Sequence, residues 1–431
     1  MEDNLKEALE KQNPWWFGKE FECGINRLES YPQLEKFMGT PEVLLLLGAR
    51  RTGKSTLLSQ LIKTLLDGKT PPEAIVFANL DDPLLQSRSK DPSFLGGLIE
   101  HYLTKAGDCK RLYVFIDEVQ NNDYWVQTVK TVYDTQKKVK LVLTGSTSTL
   151  LQGEGSTRLS GRYFHTVIFP LSFKEFLEFK EIKKPTLAEK NILFEEYLKY
   201  GGFPRVVLEK GKGLKHEILK NYFQTIYLKD IVYPHKIRNN REVFDLLYFI
   251  LSNVGKPFSF ANMAKTLGIA AQTVGEYIAY AENSYLIHTI NKYDKSVRKQ
   301  LANQKKTYCI DTGLASSVSF RFLEDRGRLL ENLVYLALKR RYEDIFYHKS
   351  RYECDFLIKE RLKITHAIQV SLTLKDEETR KREVRGLLEA MDEHKLREGL
   401  IVTANESMRI KEGGKRITVK SAHEWLLELE I

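Results

Sequence analysis

Residues 43–66 constrain this chain more than any other stretch. Five apolar residues, Val43 to Leu47, run into Gly48-Ala49-Arg50-Arg51-Thr52-Gly53-Lys54-Ser55, and a helix-period pattern follows from Thr56 to Leu66. An unbroken apolar run suits a parallel strand covered on both faces. G-x-x-x-x-G-K-S between a strand and a helix is a phosphate loop. Its glycines let the loop turn back so that successive N–H groups point inward, and the helix presents its positive N-terminal end. The pattern predicts that Lys54 bridges the β- and γ-phosphates of ATP and that Ser55 ligates Mg²⁺. Gly48, Arg50, Arg51, Thr52, Gly53 and Thr56 complete the expected ATP or ADP site.

Further apolar runs fall at Ala74 to Ala78, Leu112 to Ile116, Leu141 to Leu143 and Val167 to Phe169, with helical or turn-rich segments between them. Alternating strands and helices over such a length predict a doubly wound α/β sheet. The third run ends in Asp117-Glu118. An acidic pair at the end of a buried strand is costly unless a cation sits there. Asp117 is therefore expected to hold the magnesium and Glu118 to polarise the attacking water. The fourth run ends Leu143-Thr144-Gly145-Ser146, and of its two hydroxyls Ser146 is favoured over Thr144 as the γ-phosphate contact.

With 431 residues the chain exceeds a single small module. No run nears the roughly 18 apolar residues of a membrane helix, and the charged start MEDNLKEALEKQNPWW has no secretory h-region. A cytoplasmic protein without a membrane partner is expected. Cys23, Cys109, Cys309 and Cys354 are too scattered for a disulfide frame or a zinc site. An excess of 67 Lys+Arg over 57 Asp+Glu favours a polyanionic partner such as DNA. The same charge content suits a heat-adapted cytosolic protein equally well. The boundaries read as a phosphate-loop core over 1–170, a helical subdomain over 171–235, a polar linker HKIRNNR, a third region over 243–306 and a mixed region over 307–431.

The strings LLGARRTGKST, LDDP, VFIDEVQ, LTGSTSTLL, LSGR, PLSFKEFL and YGGFP, in that order, resemble archaeal and bacterial ATPases of the AAA+ superfamily that carry a C-terminal domain of uncharacterised function. The resemblance implies a P-loop sheet in the order 5-1-4-3-2 with a helical lid. It implies a homo-oligomer in which Arg162, just ahead of the fifth strand, is the arginine finger, with Arg158 as its rival. A surface salt bridge is the plainer role for Arg162. Arg205, after Gly-Gly-Phe-Pro, is a candidate second sensor.

Residues 243–254, 258–267 and 271–282 read as three helices joined through Leu-Gly-Ile, followed by a strand-like stretch, Leu286 to Tyr293. That is a winged-helix pattern. Its recognition helix, AAQTVGEYIAYAE, holds no Arg or Lys, so DNA contact is expected from the wing cations Lys292, Lys295, Arg298, Lys299, Lys305 and Lys306. Beyond it, Glu331 on a helix and Asp355 on a strand follow the order of PD-(D/E)XK nucleases, and make a candidate metal pair. Gln369 and Ser371 stand where that pattern needs Glu and Lys, so a degenerate nuclease fold is expected, with Lys375 or Arg380 as substitute cations. The reading is an ATPase that couples nucleotide state to DNA or partner binding. Its rivals are an ATP-regulated nuclease and an ATP-gated switch without DNA affinity.

Overall fold

Strand β1 (Val43–Leu47) is buried at every residue, as a Val-Leu run between two covering layers must be. In the computed structural model, which describes residues 3–151, 157–319 and 322–429, it is one of five parallel strands. The others are β2 (Ile75–Asn79), β3 (Leu112–Asp117), β4 (Val139–Gly145) and β5 (Tyr163–Val167), and the order is β2-β3-β4-β1-β5. This is the expected order 5-1-4-3-2. The registers Leu47↔Gly145 and Ile116↔Leu143 bring the C-terminal ends of β1, β3 and β4 to one edge. The phosphate loop, the acidic pair and the Thr144 hydroxyl all come from that edge, the usual ligand side of an open α/β sheet.

One expectation about this unit, residues 1–168, needs correction. The fifth strand is Tyr163–Val167, not Val167 to Phe169. It is an edge strand with two of its five residues exposed, so it carries no apolar run to betray it. The residues ahead of β1 contribute Trp15, Leu28, Tyr31, Leu34 and Met38 to the core beside the sheet. A helix (Asp3–Gln12) and a short 3-10 turn (Pro14–Phe17) lie along the outer edge of β2. Asn13 accepts from the Phe77 N–H (2.7 Å) and donates to its carbonyl (2.8 Å), and Gln12 accepts from the Asn79 N–H. The indoles of Trp15 and Trp16 both donate to the Ile75 carbonyl. Side chains thus satisfy the backbone groups that an edge strand would otherwise leave open.

Residues 169–431 form the second unit. Its helices Phe173–Phe179 and Leu187–Tyr200 each begin with a capping box, on Ser172 and Thr186, which satisfies orphan N–H groups at both starts. The second ends at Gly201 (φ +74), where a Cβ would lie 1.9 Å from an Asp311 carboxylate oxygen. Asp311 accepts from the N–H of Gly202 (2.7 Å) and of Leu314 (3.0 Å). The YGGFP string is therefore a seat for Asp311. Helices Asn240–Leu251, Phe260–Leu267 and Ala271–Asn283 precede an antiparallel pair, β6 (Ile287–Asn291) and β7 (Lys305–Cys309). Strands β8 (Asp344–Lys349), β9 (Glu353–Glu360), β10 (Lys363–Ser371), β11 (Glu398–Thr403), β12 (Met408–Glu412) and β13 (Lys415–Ser421) then make a mixed sheet, ordered β12-β13-β11-β10-β9-β8. The helix Glu377–Glu393 covers one face of it through Val384, Leu387, Ala390 and Met391.

Candidate nucleotide site

Gly48 leaves β1 at φ +140, and a Cβ there would meet the Ile168 carbonyl oxygen at 2.3 Å, so only glycine passes. Arg51 and Gly53 also have positive φ, and the loop closes into a helix that begins at Lys54. The Lys54 ammonium donates to the carbonyls of Gly48 (2.9 Å) and Ala49 (3.0 Å), and its side chain is almost wholly buried. Thr52 Oγ1 donates back to the Ala49 carbonyl (3.0 Å). A cation is thus held within the loop that an anion is expected to enter.

Ser55 Oγ donates to Asp117 Oδ2 at 2.7 Å, and Thr144 donates to the other oxygen of the same carboxylate. Burial pushes the Asp117 carboxyl above its usual range, against those two hydrogen bonds. A hydroxyl and a carboxylate side by side are hard oxygen donors of the sort Mg²⁺ takes, and a cation there would remove the cost of ionising a buried acid. The residues present fit the ion.

Glu118 sits in the left-handed region at φ +55, a strained backbone for a residue with a Cβ. Its N–H donates to Thr144 Oγ1 (2.9 Å). Its carboxylate accepts from Gln120 Nε2, which also reaches Ser146 Oγ (3.1 Å). Both strand-end hydroxyls therefore join the acidic pair. Thr144 holds Asp117 and the Glu118 backbone directly, while Ser146 communicates through Gln120. Neither Gln120 nor Arg27 is singled out as a site residue by the sequence motifs. The Arg27 guanidinium, 2% exposed, donates to the Thr52 carbonyl at 2.6 Å and lies over the Tyr31 ring. Nothing in the string NRLES marks such a support, because its partner lies 25 positions away.

Within the first unit, Arg162 lies apart from this cluster. Arg162 is at the start of β5, beside Val43 and hence at the opposite end of β1 from Gly48. There Arg162 Nε donates to Asp134 Oδ1 at 2.9 Å and the guanidinium covers Tyr133. Arg158 is exposed. In the second unit, Arg205 is exposed and faces Glu209 at 3.7 Å.

The pair Glu331 and Asp355 is brought together, with a partner the sequence did not suggest. Lys306 Nζ lies 3.0 Å from Glu331, 2.9 Å from Glu353 and 3.0 Å from Asp355. Its side chain is 1% exposed. Burial opposes its charge, but Glu331, Tyr308, Asp355 and Glu353 outweigh burial and hold it firmly protonated. Tyr308 donates to Glu331 at 2.7 Å. An ammonium occupies the place proposed for a metal. Lys306 is accordingly no wing cation, and Lys305, half-buried, is spent on Asn291 (2.6 Å). Gln369 accepts from the Asp355 N–H and donates to Glu383, a structural bridge instead of a ligand.

A five-stranded parallel sheet with a phosphate loop and an acidic strand end at one edge defines a P-loop NTPase of the AAA kind, and residues 40–177 match the family described as AAA domain. Residues 191–324 match a domain of unknown function (DUF8612). The chain belongs to the protein family that includes the uncharacterized protein MJ1544 of Methanocaldococcus jannaschii, to which it is 33% identical over 90% of this chain and 86% of that one. An uncharacterized protein of Haemophilus influenzae is 30% identical over 81% of this chain and 87% of its own length. Among solved structures, Cdc6p from Pyrobaculum aerophilum aligns at 11% identity with a TM-score of 0.31, over 74% of this chain and 97% of that one. Among the described residues no helix is long and apolar enough to cross a membrane.

Proposed function

We propose that the chain is a cytosolic ATPase that binds ATP at the Gly48–Thr56 loop and hydrolyses it. The observation that carries this reading is the 2.7 Å contact between Ser55 and Asp117, beneath a glycine-bounded loop that holds Lys54. When bound, Mg²⁺ would be held by Ser55 and Asp117 and would neutralise phosphate charge. Loop N–H groups and Lys54 orient the β- and γ-phosphates, and Glu118 accepts a proton from the attacking water. Gln120 and Ser146 set where that carboxylate points. Arg50, Arg51 and Thr56 line the same loop, and Arg205 would sense the γ-phosphate.

In this reading residues 243–306 are a winged helix and residues 307–431 a PD-(D/E)XK-like domain without nuclease activity. The Lys306 cluster supports the second assignment, since three carboxylates already share a buried ammonium. DNA contact then rests on Lys292, Lys295, Arg298 and Lys299 and is electrostatic. A protein-partner switch is the second reading, favoured by the recognition helix without cations and by Phe244 and Tyr248, exposed one turn apart on the helix Asn240–Leu251. Arg162 would act as an arginine finger in a homo-oligomer.

The test is ATP turnover in Mg²⁺, with and without duplex DNA. Glu118→Gln should retain ATP binding and lose turnover by about 10²-fold or more, and Lys54→Ala should lose binding. Wild-type turnover by the Glu118→Gln protein would remove Glu118 from the reaction. Salt-insensitive or absent DNA binding would leave the partner switch.

A further inference from the structure

His348, on the edge strand β8 of the six-stranded sheet, faces the C-terminal end of the helix Glu377–Glu393. One nitrogen from each imidazole of His348 and His394 and one carboxylate oxygen of Glu393 lie within 4.8 Å of one another. The His348 side chain is 4% exposed, and its Nδ1 is 3.9 Å from Glu393. Nε2 of His348 and Nε2 of His394 are both buried without a hydrogen-bond partner. The two rings meet edge to face with centroids 6.1 Å apart, and Tyr293 packs on His394 at 5.0 Å. A buried polar atom left unpaired costs on the order of 1–3 kcal/mol, so two imidazoles left this way beside a carboxylate need a reason.

We propose that His348, His394 and Glu393 bind a divalent transition-metal ion of the zinc class. Two imidazoles and one carboxylate are a zinc donor set that keeps a fourth position for water. Mg²⁺ and Ca²⁺ prefer oxygen alone. Burial disfavours the charged form of both imidazoles. Glu389 and Lys292 lie near His348 and Lys295 near His394, with Glu393 between the two. Glu389 is occupied by the N–H groups of Arg351 (3.0 Å) and Tyr352 (2.6 Å). Ligand atoms on a tetrahedral zinc at about 2.1 Å lie about 3.4 Å apart. The half-exposed Glu393 side chain can supply the closure. The ion would staple β8 to the end of the helix Glu377–Glu393, against which Tyr293, whose N–H donates to the Tyr347 carbonyl at 2.8 Å, already packs.

The experiment uses the full chain, stripped with EDTA and free of nucleotide, titrated with Zn²⁺ and separately with Co²⁺ for its visible absorption. One Zn²⁺ per chain is expected, with a raised Tm, a Co²⁺ spectrum of low coordination number, and no competition from millimolar Mg²⁺. His348→Gln and His394→Gln should each weaken binding at least tenfold and abolish the Tm rise. Glu393→Gln, at an exposed side chain, should weaken binding while the metal-free Tm stays at the wild-type value. A Cys23→Ser/Cys109→Ser variant should bind as wild type. Loss of the ion in that cysteine variant, displacement by Mg²⁺, or unchanged affinity in all three His and Glu variants would each overturn the proposal.

Discussion

The guanidinium of Arg27 and the carbonyl of Thr52 are joined at 2.6 Å, so a buried charge from the N-terminal segment holds the phosphate loop from below. Gln60, on the helix after the loop, accepts from the Arg27 N–H (3.0 Å) and ties the same segment down. Arg27→Met should therefore destabilise the protein by about 1–3 kcal/mol, the usual cost of orphaning a buried acceptor, and weaken ATP binding. Urea denaturation and nucleotide titration check this. Unchanged values in both would reduce Arg27 to simple packing.

Arg162 is held by Asp134 within its own chain, and a finger would have to leave that partner. Arg162→Ala should lower turnover without weakening ATP binding, and Asp134→Asn should leave turnover intact or raise it. Mixing Arg162→Ala with Glu118→Gln protein should restore part of the activity. A mass of one chain in ATP, with no complementation on mixing, would leave Arg162 as the surface ion pair it forms here.

Lys306→Met removes the ammonium shared by Glu331, Glu353 and Asp355. Breaking a buried ion cluster on one side costs about 3–5 kcal/mol, so a large drop in Tm is expected. Neither wild-type nor Lys306→Met protein should cleave DNA in Mg²⁺ or Mn²⁺. Cleavage that Asp355→Ala abolishes would restore the nuclease reading.

His288, on β6, lies between the rings of Phe169 and Tyr335, and burial pushes its pKa down to about 3. The unfolded chain takes up this proton near pH 6.5 while the native one does not. Stability is therefore full above about pH 6.5 and falls as pH drops toward 3, by at most ~1.4 kcal/mol per pH unit. His288→Phe should flatten that slope in acid denaturation. An identical slope would place the proton elsewhere.

The nucleotide edge was legible because its logic is local. Glycines, a lysine and a strand end announce themselves within a few residues, and the order of the five strands is the one the resemblance to AAA+ ATPases implies. What failed was whatever depended on a distant partner. Tyr163–Val167 escaped because an edge strand needs no apolar run, and β8, β12 and β13 escaped among charged residues. Lys306 looked like a wing cation because its acids, Glu331, Glu353 and Asp355, come from a helix and a strand that the fold alone brings round it. His348 and His394 are 46 positions apart, so no ligand spacing could reveal them.

The row of side chains along β2 also limits how this sheet can grow. Gln12, Asn13, Trp15 and Trp16 occupy the outward backbone groups of Ile75, Phe77 and Asn79, so no strand from another molecule can dock there without first displacing two tryptophans. Self-association by sheet extension, ordered or amyloid-like, is closed on that side. Stripping those four side chains back to alanine would turn a sealed border into an adhesive one.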